Sequence, residues 1–382
     1  MSTTAPAPIA TTPATKPGRL VSLDVFRGLT VAGMILANNP GSGGAVYPPL
    51  KHATWDGWTP TDLIFPSFLF IVGVSITFAL SKRLDDPAGR PAVLAKILRR
   101  TLVIFGLGVL LAGFPSYNMA TIRSPGVLAR IAICYGAASL IFLSTRVRGQ
   151  ILVAAGLLLG YWALMTRVPV PGFGPGDLAR GHDLASYLDR LLLPGHTYKP
   201  DYDPEGLLST LPAIATTLLG VLAGHWLRSG RERHELDSGL FVAGVAAVVG
   251  GSAWAATFPI NKALWTSSFV LLSGGLALIG LATCYWLVDL RGYRRWSYPF
   301  RVFGANPIAA YTLAAVAARV LNMPTIAGAG GRKLSVHRWL YDGQLLTLLS
   351  PINASLAYGL LLVLACFLII AAMDALGFHI RA

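Results

Sequence analysis

The 382-residue chain is 54% hydrophobic and 13% charged, about half the charged share of an ordinary soluble protein, which excludes a soluble globular fold. Its net charge of +14 lies in short basic bunches between apolar runs, a pattern of membrane topology rather than a groove for phosphates, so nucleic acid is not an expected partner. Cys134, Cys284 and Cys366 sit inside apolar runs without CxxC spacing, so small buried thiols are expected, and neither a disulfide framework nor a metal site.

Residues 1–18 are mostly Ala, Thr and Pro with a single Lys, the composition of a disordered tail. No apolar stretch followed by a small-residue cleavage site precedes residue 20, so the first apolar segment is expected to direct insertion itself. Residues 19–382 then form one transmembrane domain. Ten segments have the length and apolarity of membrane helices: 20–38, 61–81, 93–113, 125–145, 150–167, 207–227, 238–257, 265–289, 300–321 and 354–376. The expected fold is therefore an all-α polytopic membrane protein, a bundle of about ten transmembrane helices. No internal repeat is evident, which weakens the inverted-repeat signature of many transporters.

The first segment is interrupted by Ser22, Asp24, Arg27 and Asn38, which must turn toward protein or water rather than lipid. Asp24 and Arg27 are three apart and share a helix face, so they either pair with each other or hold a ligand. The tract Lys51-His52-Ala53-Thr54-Trp55-Asp56-Gly57-Trp58 follows, between two apolar segments. A neutral histidine there can take a proton or attack an acyl carbon. Asp56 is placed to orient the imidazole, and Trp55 and Trp58 to stack on a sugar. The plainer reading makes this tract part of the aromatic belt at a helix end, with His52 on the surface.

Arg130, near the end of the fourth segment, has the position of a snorkelling cation. The long loops 168–206 and 322–353 are rich in Gly, Pro and aromatics, and loops of that length commonly shape a site. Asp203 and Glu205 in Asp201-Tyr202-Asp203-Pro204-Glu205-Gly206, and Asn261 and Lys262 in Pro259-Ile260-Asn261-Lys262, offer groups for an amino or hydroxyl acceptor, although polar loop residues are often merely solvated. Asn306-Pro307 breaks a helix and frees backbone groups toward a cavity. No glycine-rich nucleotide-binding tract is found in a strand–helix setting.

Eighteen of the 31 Lys and Arg residues fall on the side of the N-terminus and ten on the other. Four short loops (82–92, 146–149, 228–237 and 290–299) carry much of the excess, which favours cytoplasmic N- and C-termini. His52 then faces the outside, while Arg27 lies near the cytoplasmic end, where a phosphate-bearing donor would enter.

Taken in order, Leu23-Asp24-Val25-Phe26-Arg27-Gly28, Asn38, Lys51-His52-Ala53-Thr54-Trp55-Asp56-Gly57, Asp62-Leu63-Ile64-Phe65-Pro66, Gly126-Val127-Leu128-Ala129-Arg130-Ile131-Ala132, Asp203-Pro204-Glu205-Gly206, Pro259-Ile260-Asn261-Lys262 and Asn306-Pro307-Ile308 resemble the catalytic domain of the heparan-alpha-glucosaminide N-acetyltransferase family. The resemblance covers roughly residues 19–380. It implies acetyl transfer from cytosolic acetyl-CoA to a glucosamine amine across the membrane. His52 and Asn38 match the family's active histidine and asparagine. By position and charge, Arg27 and nearby cytoplasmic cations, with Asp24 and Asn306, are expected toward acetyl-CoA, and Trp55, Asp56, Asp62, Asp203, Glu205, Asn261 and Lys262 toward the acceptor. A homodimer in a bacterial inner membrane is the corresponding expectation. Only a short tail stands where the family's lysosomal enzyme has a luminal domain, so an envelope amino sugar is expected as acceptor rather than heparan sulfate. Two routes stay open, an acetylated His52 or a His52 base acting with donor and acceptor bound together. The rival class is a secondary transporter or sugar-lipid carrier without acyl transfer, because intramembrane Asp and Arg also mark permeation paths.

Overall fold

The computed structural model describes residues 20–81, 89–123, 125–327 and 333–378. The expected tail at 1–18 and most of the basic loop 82–92 lie outside them. Eleven helices carry the chain from its first apolar segment to the second long loop: α1 (Val21–Asn38), α2 (Ile64–Leu80), α3 (Arg90–Gly113), α4 (Val127–Ser144), α5 (Val147–Arg167), α6 (Leu184–Leu192), α7 (Thr210–Leu227), α8 (Arg233–Trp254), α9 (Ser267–Cys284), α10 (Tyr298–Ala305) and α11 (Pro307–Asn322). A two-residue hairpin, β1 (Pro169–Val170) with β2 (Gly174–Pro175), precedes α6. After α11 come an antiparallel pair, β3 (Pro324–Ala327) and β4 (Lys333–Ser335), the short helices α12 (Val336–Leu340) and α13 (Leu346–Leu348), and α14 (Pro351–Ala375).

All ten expected segments are helical, and the chain is an all-α polytopic membrane protein. Among the described residues, eight helices are long and apolar enough to cross a bilayer. The other two expected spans differ for visible reasons. The first half of α3 carries Arg90, Lys96, Arg99 and Arg100. The segment 300–321 is divided at Asn306, which ends α10 and begins α11, with Pro307 in the first helical position of α11. Proline is tolerated there because its missing N–H would have had no helical partner.

Polar residues in α1 turn inward, as lipid requires: Ser22, Asp24 and Thr30 are buried with Val25, Val31 and Ile35. Two apolar clusters flank the middle of the bundle. One joins α2, α3, α4, α5, α7 and α9 around Leu69, Ile131 and Phe269. The other joins α1, α10, α11 and α14 around Ile35, Phe303 and Leu362. Apolar side chains of the outer helices, including Leu152, Val242 and Leu368, are exposed on the outside of the bundle.

Glycine sets how closely these helices approach. A Cβ at Gly73 on α2 would lie 1.9 Å from the Thr217 carbonyl oxygen, and one at Gly220 on α7 1.9 Å from that of Phe70. Such crossings suit helices that gain association from close packing, since lipid gives them no hydrophobic drive to associate. The three cysteines are free and buried.

Candidate active site

The tract after α1 is tied down by hydrogen bonds. Thr59 Oγ1 donates to the Lys51 carbonyl at 2.6 Å, Thr61 Oγ1 to that of Pro49 at 3.1 Å, and the Gly57 N–H to that of Ile260 at 2.7 Å. Gly57 has a φ of +92°, a left-handed conformation that disfavours a side chain. Thr59 and Asp62 form a reciprocal capping box over the 3₁₀ turn Pro60–Leu63 that leads into α2. Such a box satisfies N–H groups that the helix start would otherwise leave without partners.

Asp62 is therefore fixed by the helix start, and its second oxygen reaches His52. Oδ2 accepts from the N–H groups of Ala53 (3.0 Å) and Thr59 (3.1 Å), while Oδ1 lies 2.6 Å from His52 Nδ1. Asp62 is almost fully buried, whereas the His52 side chain is 49% exposed. A carboxylate only accepts, so Nδ1 carries the proton, and in the neutral ring the lone pair is then on Nε2. Lys262 Nζ lies 3.0 Å from His52 Nδ1 and 3.2 Å from Asp62 Oδ1. Burial pushes the Lys262 ammonium below its usual range, opposed chiefly by the charge of Asp62.

His52 opens onto a cavity of about 660 Å³, within the size range of small-molecule sites. Asn38, Thr61, Glu205, Lys262 and Tyr311 line it with His52. It follows one face of α2 through Ile64, Phe65, Phe68, Val72, Ser75, Ile76 and Ala79 to Leu80. The path from Thr61 to Leu80 corresponds to roughly 28 Å of helix, close to the thickness of a bilayer's hydrocarbon core. At the far end the walls include Lys96, Arg99 and Arg100 of α3 with Tyr135 of α4. The Arg100 guanidinium sits 4.8 Å from the centre of the Tyr135 ring. An apolar passage thus joins a histidine–carboxylate–ammonium cluster to a cationic cluster.

The expected site residues divide into two sets. His52, Asn38, Glu205, Lys262 and Arg27 line the cavity, and Asp62 stands directly behind His52. Asn38 ends α1 with its side chain exposed and makes no side-chain hydrogen bond among the described residues. Glu205 also accepts from Arg123. Arg27 lies part-way along the passage rather than at the cationic end, donating to Asp24 Oδ1 (3.0 Å), the Gly304 carbonyl (3.0 Å) and Ser75 Oγ (2.9 Å).

Trp55, Asp56, Asp203, Asn261, Asp24 and Asn306 do not line the cavity. The carboxylate facing His52 is Asp62; Asp56 instead accepts from Asn261 Nδ2 at 3.1 Å. Asn261 Oδ1 in turn accepts from the Leu264 N–H, closing a buried turn. Trp55 Nε1 donates to the Leu178 carbonyl at 2.9 Å, and its ring meets Tyr202 edge-on. Asp203 is occupied by the N–H groups of Tyr198 and Glu205 and by Arg123. Burial would weaken the Arg123 guanidinium, but Asp203 and Glu205 outweigh it and hold its pKa well above the ordinary value. Asp24 is paired to Arg27, and Asn306 is buried at the α10–α11 break. Arg130 does not snorkel. It is buried, donates to the Gly206 carbonyl and lies 5.2 Å from the Trp265 ring centre, because α4 faces the loop 203–209 there rather than lipid.

Sequence reasoning passed over Lys96, Arg99, Arg100, Tyr135 and Tyr311. The three cations did carry a signal, since spacings of three and four place them on one helix face, and the expectation of cytoplasmic cations near Arg27 for the donor did not single them out. Tyr311 carried none beyond its place one turn after Pro307.

The model of the family described as heparan-alpha-glucosaminide N-acetyltransferase, catalytic, matches residues 19–256. The heparan-alpha-glucosaminide N-acetyltransferase of Homo sapiens is 31% identical over 357 residues, covering 77% of this chain and 52% of the human protein. That of Mus musculus is 31% identical over 351 residues, covering 77% of this chain and 53% of the mouse protein. The chain thus spans about half the length of the curated relatives it matches.

Proposed function

This chain belongs to the heparan-alpha-glucosaminide N-acetyltransferase catalytic family, and from that premise we propose that it carries acetyl from acetyl-CoA to an amino-sugar acceptor across a membrane. The observation that carries the reading is the single cavity joining the Lys96–Arg99–Arg100 cluster to His52. The cations suit the phosphates of the donor, and the apolar walls along α2 suit its uncharged arm. The distribution of Lys and Arg supports a cytoplasmic cationic end with His52 on the opposite face, and a bacterial inner membrane is the proposed setting.

Because one cavity reaches both ends, donor and acceptor are able to meet at His52 in a ternary complex, and we take His52 as the general base. The acceptor amine nitrogen bonds to the thioester carbonyl carbon while Nε2 takes a proton from that nitrogen. The C–S bond then breaks, and the thiolate takes the proton back from Nε2. The products are the N-acetyl sugar and CoA thiol, with His52 neutral again. Asp62 keeps the proton on Nδ1, and Asn38 and Tyr311, which line the same cavity, are donors that could serve the developing oxyanion. Glu205 lies where an ammonium acceptor would be held before it loses its proton.

The test is acetyl transfer by the full chain in sealed proteoliposomes, with labelled acetyl-CoA on one face and glucosamine on the other. Wild type should give N-acetylglucosamine and His52→Gln should fall about 10²–10⁴-fold. Sugar flux without acetylated product would replace this reading with the carrier. Label retained on His52 when acceptor is withheld would replace the base with the acetyl-histidine route.

A further inference from the structure

Lys262 comes from the loop between α8 and α9, yet it completes a triangle with the two groups behind the reacting nitrogen. Its Nζ lies 3.0 Å from His52 Nδ1 and 3.2 Å from Asp62 Oδ1, and these two lie 2.6 Å apart. An ammonium and an Nδ1–H are both donors and cannot bond each other, so both must point at the same carboxylate oxygen. The other oxygen of Asp62 is occupied by the N–H groups of Ala53 and Thr59.

The charges that face the ring are few. Asp56 is turned to Asn261, Glu205 is joined to Arg123, and Lys51 is exposed. The imidazole therefore feels one anion and one cation at contact distance. A carboxylate alone favours the imidazolium, which makes a willing base but one slow to return its proton. A cation at the same distance opposes that charge.

We propose that Lys262 is a positioning residue that sets the proton affinity of His52 through their shared carboxylate, so that the imidazolium gives its proton back to the leaving thiolate. The proposal rests on the acetyl-transfer reading. Protein groups alone account for the effect, so it has a readout independent of turnover.

The experiment is an NMR pH titration of histidine-labelled full chain in detergent, with the His52 signal assigned by its loss in His52→Gln. Wild type, Lys262→Met, Lys262→Gln and Lys262→Arg are compared. Losing the cation should raise the titration midpoint of His52 by about one pH unit, and Lys262→Arg should restore it. The acidic limb of kcat for acetyl-CoA and glucosamine should move to higher pH in step, with kcat down about 10–100-fold and both KM values little changed. If Lys262→Met does not fold, Lys262→Gln, which keeps a donor to Asp62, decides the matter. A midpoint unchanged in the neutral variants, or one that Lys262→Arg fails to restore, overturns the proposal. A wild type that transfers no acetyl sinks the acetyltransferase reading instead, while the midpoint still decides the coupling.

Discussion

At the scale of single residues, the assignment turns on which carboxylate serves His52. Asp56 is four positions away in the chain and Asp62 ten, and proximity in sequence favoured the nearer one. The structure pairs Asp62 with His52 because the Thr59–Asp62 capping box turns the chain back on itself. From the sequence alone Thr59-Pro60-Thr61-Asp62 did not stand out as a capping box, and the use of its carboxylate's other oxygen was not legible at all, because that contact depends on the path of a whole loop. Asp62→Asn should lower kcat for acetyl transfer by about 10²–10⁴-fold, because an amide no longer fixes the Nδ1–H tautomer. Asp56→Asn should stay within about threefold, the range expected of a site that touches no reacting atom. Steady-state rates with acetyl-CoA and glucosamine check both. Equal losses in the two variants would mean that the tract acts through its fold and not through the Asp62–His52 contact.

At the scale of elements, helix positions were legible because 20-residue apolar runs have few other fates in lipid. The break at Asn306–Pro307 was legible for the same kind of reason, since proline cannot continue a helix behind it. Helix partners were not legible, because the glycines that set them look alike in sequence. Gly73 and Gly220 place the backbones of α2 and α7 in contact, whereas Gly156 in α5 has open space where a Cβ would go. The same substitution should therefore act with opposite signs. Gly73→Ala must push apart two backbones and should cost about 1–3 kcal/mol. Gly156→Ala meets nothing and should gain about 0.5–1 kcal/mol from lower helix entropy cost. Thermal melts in detergent read both, and a Gly73→Ala protein as stable as wild type would show that the α2–α7 crossing is looser than this packing. Because α2 lines the cavity from Ile64 to Leu80, that crossing also fixes the passage, and Gly73→Ala should reduce transfer even below its melting temperature.

At the scale of the whole molecule, the consequential feature is that chemistry and charge lie at opposite ends of one passage. Position and charge in the sequence put the phosphate-binding role on Arg27 and nearby cytoplasmic cations. Arg27 has Asp24, Gly304 and Ser75 as partners part-way along, and the cations at the end of the cavity are on α3. This division allows donor charge to be separated from donor chemistry. On the proposed reading acetyl-CoA carries phosphates for Lys96 and Arg99 to hold, while acetyl-pantetheine carries the same thioester and arm without them. Lys96→Gln and Arg99→Gln together should raise the KM for acetyl-CoA about 10–100-fold, the loss expected for one or two charge-assisted hydrogen bonds. They should leave the KM for acetyl-pantetheine within about twofold, because neither residue approaches His52. Ala79→Trp, a large ring at an exposed wall position near the cationic end, should impede both donors and leave the melting temperature unchanged. If the double variant weakens both donors equally, the cations support the walls of the passage and do not read phosphate. If Ala79→Trp spares both, the donor reaches His52 by another path, and the cavity along α2 is not the route of transfer.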